Sequence, residues 1–445
     1  MNTIDVRCGR LSQEELSANF SDAHPPLKAG NAIIEASRCY FCYDAPCVEA
    51  CPTSIDIPNF IRKITTGNLK GSANDILAQN IMGGMCARVC PTEILCEGAC
   101  VRETQEHQPV RIGELQRYAT DWFFESGETI FEREKATGKR IAVIGGGPAG
   151  LSCAHKLAVS GHEVVVFEAR EKLSGLNEYG IAAYKTVNNF AQREVDFILK
   201  LGGIETRTNQ KLGQDIQLND IRKEYDAVFL SLGLGDVNSL GLENEELDGV
   251  FDAVETIAEL RQSGNLSKIA VGRRVVVIGG GNTAIDIAVQ IKKLGAEDVT
   301  LAYRRGPEQM SATWKEQEFA QTNGVRVKHW VAPTRLQSEN GHVCGIEFEC
   351  TELNPEGKLT GTGEIRLMEA DVVFKAIGQT LQETIFSASE MPKLEGGKIA
   401  INTDYETSLA GVWAGGDCVR SGEDLTVQAV EDGKQAALSI NRKLQ

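Results

Sequence analysis

The sequence lacks any apolar run of the ~18–20 residues that cross a bilayer, and its opening segment, MNTIDVRCGRLSQEE, is polar. Basic residues are also in deficit, with 46 Lys and Arg against 62 Asp and Glu and a formal net charge of −16. A nucleic-acid backbone or an anionic membrane attracts clustered basic side chains, so this balance argues against both as partners. We therefore expect no secretory leader, no membrane span and a cytoplasmic location.

Histidine is scarce, with 6 residues, whereas cysteine is plentiful, with 13. Eight cysteines cluster in one region: Cys39, Cys42, Cys47, Cys51, Cys86, Cys90, Cys96 and Cys100. Because disulfides are rare in the cytosol, such a cluster predicts metal ligands. Structural zinc sites usually combine two C-x2-C pairs, and this region contains one. The spacing, C-x2-C-x4-C-x3-C and then C-x3-C-x5-C-x3-C, favours iron–sulfur clusters, and eight thiolates would suffice for two 4Fe-4S clusters.

Beyond the cysteine region, two segments share the pattern strand, glycine turn, helix, strand. RIAVIGGGPAGLSCAHKLAVSGHEVVVFEAR begins at Arg140, and RRVVVIGGGNTAIDIAVQIKKLGAEDVTLAYRR begins at Arg273. Each predicts a Rossmann-like dinucleotide-binding domain. The segment from Gly411 predicts a strand, a loop and a helix that return to complete the first domain. The predicted fold is α/β with an N-terminal α-helical iron–sulfur domain and two Rossmann-like domains, the second inserted in the first. The expected domains are 1–128 (iron–sulfur), 129–235 and 377–445 (FAD) and 236–376 (NAD(P)H).

The first glycine turn predicts an FAD site. The residues expected to hold the pyrophosphate are Gly145, Gly147, Pro148, Ala149 and Gly150. In this motif the first glycine makes the turn, the second admits the phosphates and the third lets helix pack on strand. Glu168, which ends the next strand, is expected to bind a ribose hydroxyl. The later Gly416-Asp417 resembles the element that contacts the ribityl chain in two-dinucleotide flavoproteins, with a helix beginning near Thr426 aimed at the flavin ring.

A loop before the insertion, SGLNEYGIAAYK, is similar to the GGxxxxGIPxxR segment of related flavoproteins. Gly175 is expected to contact the flavin nucleotide. Ser174, Ala182 and Lys185 depart from the pattern, and a lysine cannot reproduce the bidentate contacts of an arginine.

The second glycine turn predicts the nicotinamide nucleotide site. Its expected ligands are Gly279, Gly281, Asn282, Thr283, Arg304 and Arg305. Tyr303 stands where the first domain has its acid, and two arginines follow it. An acid would favour NAD, whereas arginines can bind the 2′-phosphate of NADP. The pattern favours NADPH, and ion pairing of the arginines on the surface is the alternative, so the choice within NAD(P)H stays open.

Three stretches together resemble the dihydropyrimidine dehydrogenase family: EASRCYFCYDAPCVEACPTSIDIPNFI, GGMCARVCPTEILCEGAC and IGELQRYATDW. The resemblance covers essentially the whole chain. It implies an electron-input subunit, an NAD(P)-dependent oxidoreductase acting on CH–CH bonds, which passes electrons from NAD(P)H through FAD and two 4Fe-4S clusters. It also implies a partner subunit with FMN and further iron–sulfur clusters, in a two-plus-two heterotetramer, that reduces uracil or thymine. No catalytic side chain is expected in this chain.

The resemblance also implies how the cluster ligands divide. One cluster would be held by Cys39, Cys42, Cys47 and Cys100, and the other by Cys51, Cys90, Cys96 and Gln116. Spacing alone would choose Cys86 over Gln116, so the eighth ligand stays open.

Other protein classes share parts of this pattern. The small subunit of glutamate synthase and ferredoxin–NADP oxidoreductase-type subunits have the same architecture, and YRRGPEQM suits them too. The DAPC sequence before and including Cys47, together with Gln116, argues against them. A disulfide reductase needs a redox-active C-x2-C or C-x4-C pair, which is missing after Arg140. A zinc-stabilised nucleotide-sensing protein would not need two complete dinucleotide sites.

Overall fold

The structure, a computed structural model, describes residues 11–387, 389–420 and 423–445. Up to the linker the described elements are helices: α1 (Gln13–Asn19), α2 (Ala29–Ala36), α3 (Pro46–Glu49), α4 (Ile57–Thr65), α5 (Leu69–Gln79), α6 (Gly83–Val89), α7 (Val101–Glu106) and α8 (Ile112–Ser126). The next elements are β1 (Arg140–Ile144), α9 (Pro148–Val159), β2 (Glu163–Phe167), α10 (Leu176–Tyr179), α11 (Phe190–Leu199), β3 (Ile204–Arg207), α12 (Leu218–Glu224) and β4 (Ala227–Leu230).

The inserted part contains β5 (Asp236–Val237), β6 (Val250–Asp252), α13 (Ala253–Gln262), β7 (Arg274–Gly279), α14 (Asn282–Lys293), β8 (Asp298–Ala302), α15 (Trp314–Thr322), β9 (Arg326–Lys328), β10 (Val331–Glu339), β11 (His342–Leu353), β12 (Leu359–Glu369) and β13 (Val372–Ala376). The last elements are β14 (Gln379–Thr380), β15 (Leu394–Glu395), β16 (Lys398–Ile399), β17 (Val412–Ala414) and α16 (Thr426–Leu444). Among the described residues no helix is both long enough and apolar enough to span a bilayer.

The chain forms two compact units. Of the described residues, the flavin-side unit comprises those in His24–Glu178, Asn188–Gly235 and Thr380–Gln445, and the nucleotide-side unit comprises residues 11–23, Tyr179–Val187 and Asp236–Gln379. Two segments outside the insertion therefore pack with it: Leu16 of α1 and Tyr184 are both buried in the nucleotide-side core.

In the flavin-side unit a parallel sheet has the strand order β17-β4-β1-β2-β3. The C-terminal strand β17 joins β4, with Val412 opposite Val228, so the predicted return of the chain to the first Rossmann-like domain is confirmed. All residues of β4 and the last four of β1 and β2 are buried, as expected for central parallel strands that helices cover on both faces. Helices α9 and α16 pack against each other beside this sheet.

The iron–sulfur helices pack through one apolar stripe per helix. In α4 the buried residues Ile57, Phe60, Ile61 and Ile64 recur at helical spacing and leave Arg62 exposed. The Asp56 side chain accepts from the Asn59 amide and begins the helix. Each such buried side chain contributes roughly 1.5–3 kcal/mol relative to exposure.

Phenylalanines join these helices to the flavin fold. Phe123 and Phe124 at the end of α8 meet Phe197 of α11 edge to face, with ring centroids 5.4 Å apart in both cases. Phe124 also meets Phe190 at 5.5 Å. Such aromatic pairs add to the stabilisation from buried area, so the iron–sulfur module is fixed on the flavin domain by an apolar contact.

The nucleotide-side unit contains a parallel sheet with the order β6-β13-β7-β8-β9 and an antiparallel sheet with the order β10-β11-β12. Helix α14 follows β7 and is buried over most of its length. This is the second Rossmann-like fold, and its insertion in the first, predicted from the C-terminal segment that returns to the first domain, is confirmed.

Candidate cofactor sites

Two glycines of the first turn are required by the backbone itself. Gly145 follows β1 with φ +104°, and a Cβ there would lie 2.1 Å from the Ser231 carbonyl oxygen. A Cβ on Gly150 would lie 2.0 Å from the Gly145 carbonyl oxygen. Neither position has room for a side chain, so these glycines hold strand, turn and helix together.

Gly147 has a different environment. It precedes α9 with φ −75°, and the nearest atom to a Cβ there would be the Gly175 Cα at 3.9 Å. No side chain caps α9, and Pro148 occupies its first turn, so the N–H groups of that turn stay available for an anion. An open cradle at a helix N-terminus fits the pyrophosphate of FAD.

Gly175 completes this cradle from the opposite side. Its φ is +52°, and a Cβ there would come within 3.0 Å of the Gly147 Cα. Ser174, one residue earlier, is fully buried at φ +89°. Its hydroxyl has no hydrogen-bond partner among the described residues. A left-handed backbone explains why related sequences have glycine at this position.

Glu168 lies at the end of β2 beside the glycine turn. Its carboxylate accepts from the amides of Gly146 and Arg170, each at 2.8 Å. Burial raises the pKa of this carboxyl above its usual value, despite these hydrogen bonds. The position suits a ribose ligand, and that role stays a prediction.

The Gly416-Asp417 loop is anchored by a residue that the sequence reasoning missed. The Gly416 amide, at φ +77°, donates to the carboxylate of Asp432 at 2.9 Å. Asp432 is fully buried within α16 and also accepts from Tyr405. A buried acid in an otherwise apolar helix face was the available signal. Burial raises the pKa of Asp417 to about 6.

Helix α16 begins at Thr426, as predicted, and has no side-chain cap. The Thr426 hydroxyl donates to the Asn177 side-chain oxygen at 2.9 Å, which ties the helix start to the loop that contains Gly175. The free amides and dipole of this 19-residue helix favour negative charge before its first turn. A Cβ on Gly416 would touch Ala149, so this loop and the start of α9 lie side by side.

The nucleotide-side unit repeats the glycine arrangement. A Cβ on Gly279 would lie 2.1 Å from the Ala376 carbonyl oxygen, so this position is structural. Gly281 precedes α14, and Asn282 and Thr283 form its first turn, where they can meet a phosphate. A Cβ on Gly281 would have the Ser311 hydroxyl at 3.2 Å.

Arg304 and Arg305 follow β8, with Arg304 exposed and Arg305 partly exposed. Within the described parts of the chain neither forms an ion pair. The Tyr303 ring packs against Gly280 of the turn, and its hydroxyl donates to the Gln309 carbonyl. The two arginines thus follow the carboxyl end of β8 without a carboxylate partner among the described residues, and their role as ligands of a 2′-phosphate stays a prediction.

Hydrogen bonds and ion pairs hold Ala182 and Lys185, two of the loop residues that depart from the flavoprotein pattern. Lys185 is buried and pairs with Asp286 at 2.8 Å and Glu316 at 2.6 Å. Burial opposes the charge, but the two carboxylates prevail and raise the pKa of Lys185. The Ala182 amide also donates to Asp286, so this segment is fixed to α14. The Lys185 ammonium group thus forms its ion pairs inside the nucleotide-side unit.

The predicted cluster ligands border two cavities. One cavity is lined by Cys39, Cys42, Cys47 and Cys100. A second cavity is lined by Cys51, Cys90, Cys96 and Gln116, together with Cys86. Ile57 lies in both walls. In the described ranges no three Cys, His, Asp or Glu side chains converge as they would on a single ion. Soft donors in an apolar wall suit a 4Fe-4S cluster.

Two of the thiols, those of Cys47 and Cys96, are buried enough to resist ionisation. Burial raises the pKa of Cys47 to about 12 and that of Cys96 well above the usual value. Iron bound at these sites would supply the positive charge that favours the thiolate form. Gln116 donates through its amide nitrogen to the Gly83 carbonyl at 2.7 Å, which leaves its oxygen as a possible ligand. Cys86 and Gln116 both reach the second cavity, so the eighth ligand stays a prediction.

Comparisons with known proteins match the chain in two parts. Residues 16–128 match the family model for dihydropyrimidine dehydrogenase domain II with its 4Fe-4S cluster, and residues 139–433 match that for pyridine nucleotide-disulphide oxidoreductases. The NADPH glutamate synthase small chain of Escherichia coli K12 is 35% identical over 95% of this chain and 93% of its own. The NAD-dependent dihydropyrimidine dehydrogenase subunit PreT of E. coli O157:H7 is 33% identical over 98% and 99%.

Solved structures support the fold. FprA from Mycobacterium tuberculosis in complex with NADPH aligns with a TM-score of 0.58 at 18% identity, over 69% of this chain and 84% of its own. Thioredoxin reductase from T. acidophilum aligns with a TM-score of 0.54 at 20% identity, over 68% and 99%. Of the cysteines after Arg140, Cys153 and Cys418 are buried, while Cys344 and Cys350 lie along β11, so they supply no motif-spaced redox pair.

The predicted cofactors FAD, NAD(P)H and 4Fe-4S are therefore confirmed, as is the oxidoreductase class. The chain belongs to the pyridine nucleotide-disulphide oxidoreductase family, among the flavin and iron–sulfur subunits that share the dihydropyrimidine dehydrogenase type of 4Fe-4S domain.

Proposed function

We propose that the chain is the electron-input subunit of a dihydropyrimidine dehydrogenase. It takes hydride from NAD(P)H and delivers single electrons to a partner subunit with FMN and iron–sulfur centres, which reduces uracil or thymine to the 5,6-dihydro form. The names of the PreT relatives and of the matching iron–sulfur family model support this assignment. A heterotetramer of two such chains and two partners, in the cytoplasm, is part of the proposal.

One observation supports the electron-transfer part of the proposal: the two cysteine-lined cavities share a wall residue, and the second is also lined by a residue of helix α16. Val427, in the first turn of the flavin helix α16, lines the second cavity. Ile57 is shared by the walls of the second and first cavities. The ligand set with Cys51 therefore lies next to the flavin helix, and the set with Cys39 lies beyond it. Cys42 of the set with Cys39 is followed in the chain by Tyr43, which is fully exposed, so this set lies close to the protein surface.

The side chains serve binding and electrostatics. FAD, when bound, supplies the conversion of a two-electron hydride into single electrons. The amides of α9 and α14 hold phosphates, and the start of α16 stabilises negative charge on the flavin ring. No residue of this chain needs to act on the pyrimidine, because that reaction belongs to the partner.

For the coenzyme, we infer that Arg304 and Arg305 bind the 2′-phosphate of NADPH. Their lack of ion pairs within the described residues supports this role. The names of the relatives divide, since the glutamate synthase chain is named for NADPH and PreT for NAD.

A second candidate is the small subunit of a glutamate synthase. The 35% identity with that chain from E. coli K12 favours it, and it would use the same cofactor sites. The two candidates differ in the partner: an FMN-containing pyrimidine-reducing chain or a large amidotransferase chain.

The test is to purify the tagged chain without air from its native cells and to identify what accompanies it by mass spectrometry. We expect an FMN-containing partner, uracil-dependent oxidation of NAD(P)H by the complex, and oxidation of NAD(P)H with an artificial acceptor by the chain alone. Recovery of a large amidotransferase would move the function to glutamate synthase. Uracil reduction by the isolated chain would refute the division of labour.

A further inference from the structure

Glu194 lies on α11 of the flavin fold and is fully buried against α6 of the iron–sulfur module. One oxygen of its carboxyl accepts from the amides of Gly84 at 2.9 Å and Met85 at 3.1 Å. These amides belong to the first turn of α6, which has no side-chain cap from its own N-cap residue. Glu194 therefore supplies, from a segment more than 100 positions away, the cap that α6 lacks.

The helix capped in this way leads to a predicted cluster ligand. Cys90 ends α6, Cys86 lies within it, and both line the second cavity. Gln116 of α8 holds the same turn from the other side, because its amide donates to the Gly83 carbonyl at 2.7 Å. Cys90 lies six positions after Gly84, which is about 9 Å along a helix. A shift at the capped end would thus move the ligand directly.

Helix α6 packs against its neighbours so closely at Gly84 that there is no room for a side chain. A Cβ on Gly84 would lie 2.5 Å from the Phe190 ring, 2.9 Å from Glu194 and 2.9 Å from the Phe124 ring. Arg88, one turn later on α6, stacks over Phe190 at 3.4 Å from the ring centroid and pairs with an α8 carboxylate at 2.5 Å.

The charged neighbours of Glu194 come from both packed elements. Arg88 of α6 favours its charge and Asp121 of α8 opposes it. Burial dominates and raises the pKa of Glu194 to about 8. Its second oxygen has no hydrogen-bond partner among the described residues.

We propose that Glu194 is a positioning residue that fixes α6 on the flavin fold and, through α6, sets the geometry of the second iron–sulfur site. The proposal rests on the cluster ligands Cys51, Cys90 and Cys96 and does not depend on which partner accepts the electrons. It assigns to a residue of the flavin domain a role in the iron–sulfur site that the cysteine pattern does not reveal.

The experiment compares Glu194→Ala, which removes the cap, with Glu194→Gln, which keeps an oxygen acceptor. The full chain is purified without air, and FAD content, iron content and the electron paramagnetic resonance spectrum of the reduced protein are measured. In Glu194→Ala we expect FAD to remain and the second cluster to change its spectrum or be lost, with metal retention roughly 10-fold weaker or worse. Glu194→Gln should stay close to the native protein.

A matched control is Asp371→Ala in the nucleotide-side unit. Asp371 is also buried and accepts from two backbone amides, those of Arg273 and Arg274. Its loss should lower stability and leave both cluster spectra native. If Glu194→Ala does not fold, Glu194→Asp, which shortens the reach to the two amides, takes its place with the same expectation.

Native cluster spectra and iron content in Glu194→Ala, or in its replacement Glu194→Asp, would overturn the proposal. A native protein that shows no second cluster would instead refute the ligand assignment on which the proposal rests. The two failures are therefore distinguishable.

Discussion

Gly147 and Gly150 in the flavin turn have different surroundings, so we predict different effects when each is replaced by alanine. At Gly147 a Cβ meets no protein atom nearer than 3.9 Å, and its φ of −75° suits any residue. Gly147→Ala should therefore fold normally, with a change in the free energy of unfolding of the FAD-free protein within about 0.5 kcal/mol. The added methyl group would instead enter the space in which we expect the pyrophosphate.

We expect Gly147→Ala to weaken the binding of FAD. Forcing one extra carbon into a packed contact costs typically about 1–3 kcal/mol. As binding energy this weakens FAD by roughly 5- to 150-fold. The assay is titration of FAD-free protein with FAD, followed by the quenching of flavin fluorescence, with thermal unfolding of the same FAD-free protein as the stability measurement.

The control is Gly150→Ala. Its Cβ would collide with the Gly145 carbonyl oxygen at 2.0 Å, so it should destabilise the FAD-free protein by more than about 3 kcal/mol. If Gly147→Ala bound FAD as tightly as the native protein, the assignment of the cradle would be wrong. Equal destabilisation by both variants would refute the distinction between a cofactor-facing and a structural glycine.

Three further predictions concern other residues. The pKa of Glu194 is raised from 4.5 to about 8, so the folded protein holds the proton that the unfolded chain releases, and stability falls as the pH rises from about 4.5 to 8. As the pH rises across this window, the melting temperature of Glu194→Gln should therefore rise relative to that of the native protein. A difference between the two melting temperatures that does not change with pH would contradict the raised pKa. Ser174→Gly should stabilise the FAD-free protein by about 1 kcal/mol in denaturant unfolding, since it removes a left-handed non-glycine residue and an unpartnered hydroxyl. Replacing Arg304 and Arg305 by alanine should raise the KM for NADPH roughly 10- to 100-fold, the loss of one or two charged hydrogen bonds, and leave the KM for NADH unchanged. An equal effect on both coenzymes would argue against a 2′-phosphate site.

The sequence alone was sufficient for features that a few neighbouring residues encode. The glycine turns predicted two Rossmann-like domains because strand, turn and helix are adjacent in the chain. The cysteine spacing predicted iron–sulfur chemistry because cluster ligands lie close together in sequence. The resemblance of the motifs added Gln116 as an alternative to Cys86 for the eighth ligand, and the choice between them stays a prediction.

Tertiary structure decided everything that joins distant segments. Glu194 and Asp432 look like ordinary helical acids until α6 and the Gly416 loop bring amides to them. That Val427 and Ile57 connect the flavin helix to both cavities also depends on packing. Local backbone preference and ligand spacing depend on a few neighbouring residues, so they can be read from the sequence. The hydrogen-bond partners and the pKa of a buried carboxyl are set only when chain segments far apart in sequence fold against each other.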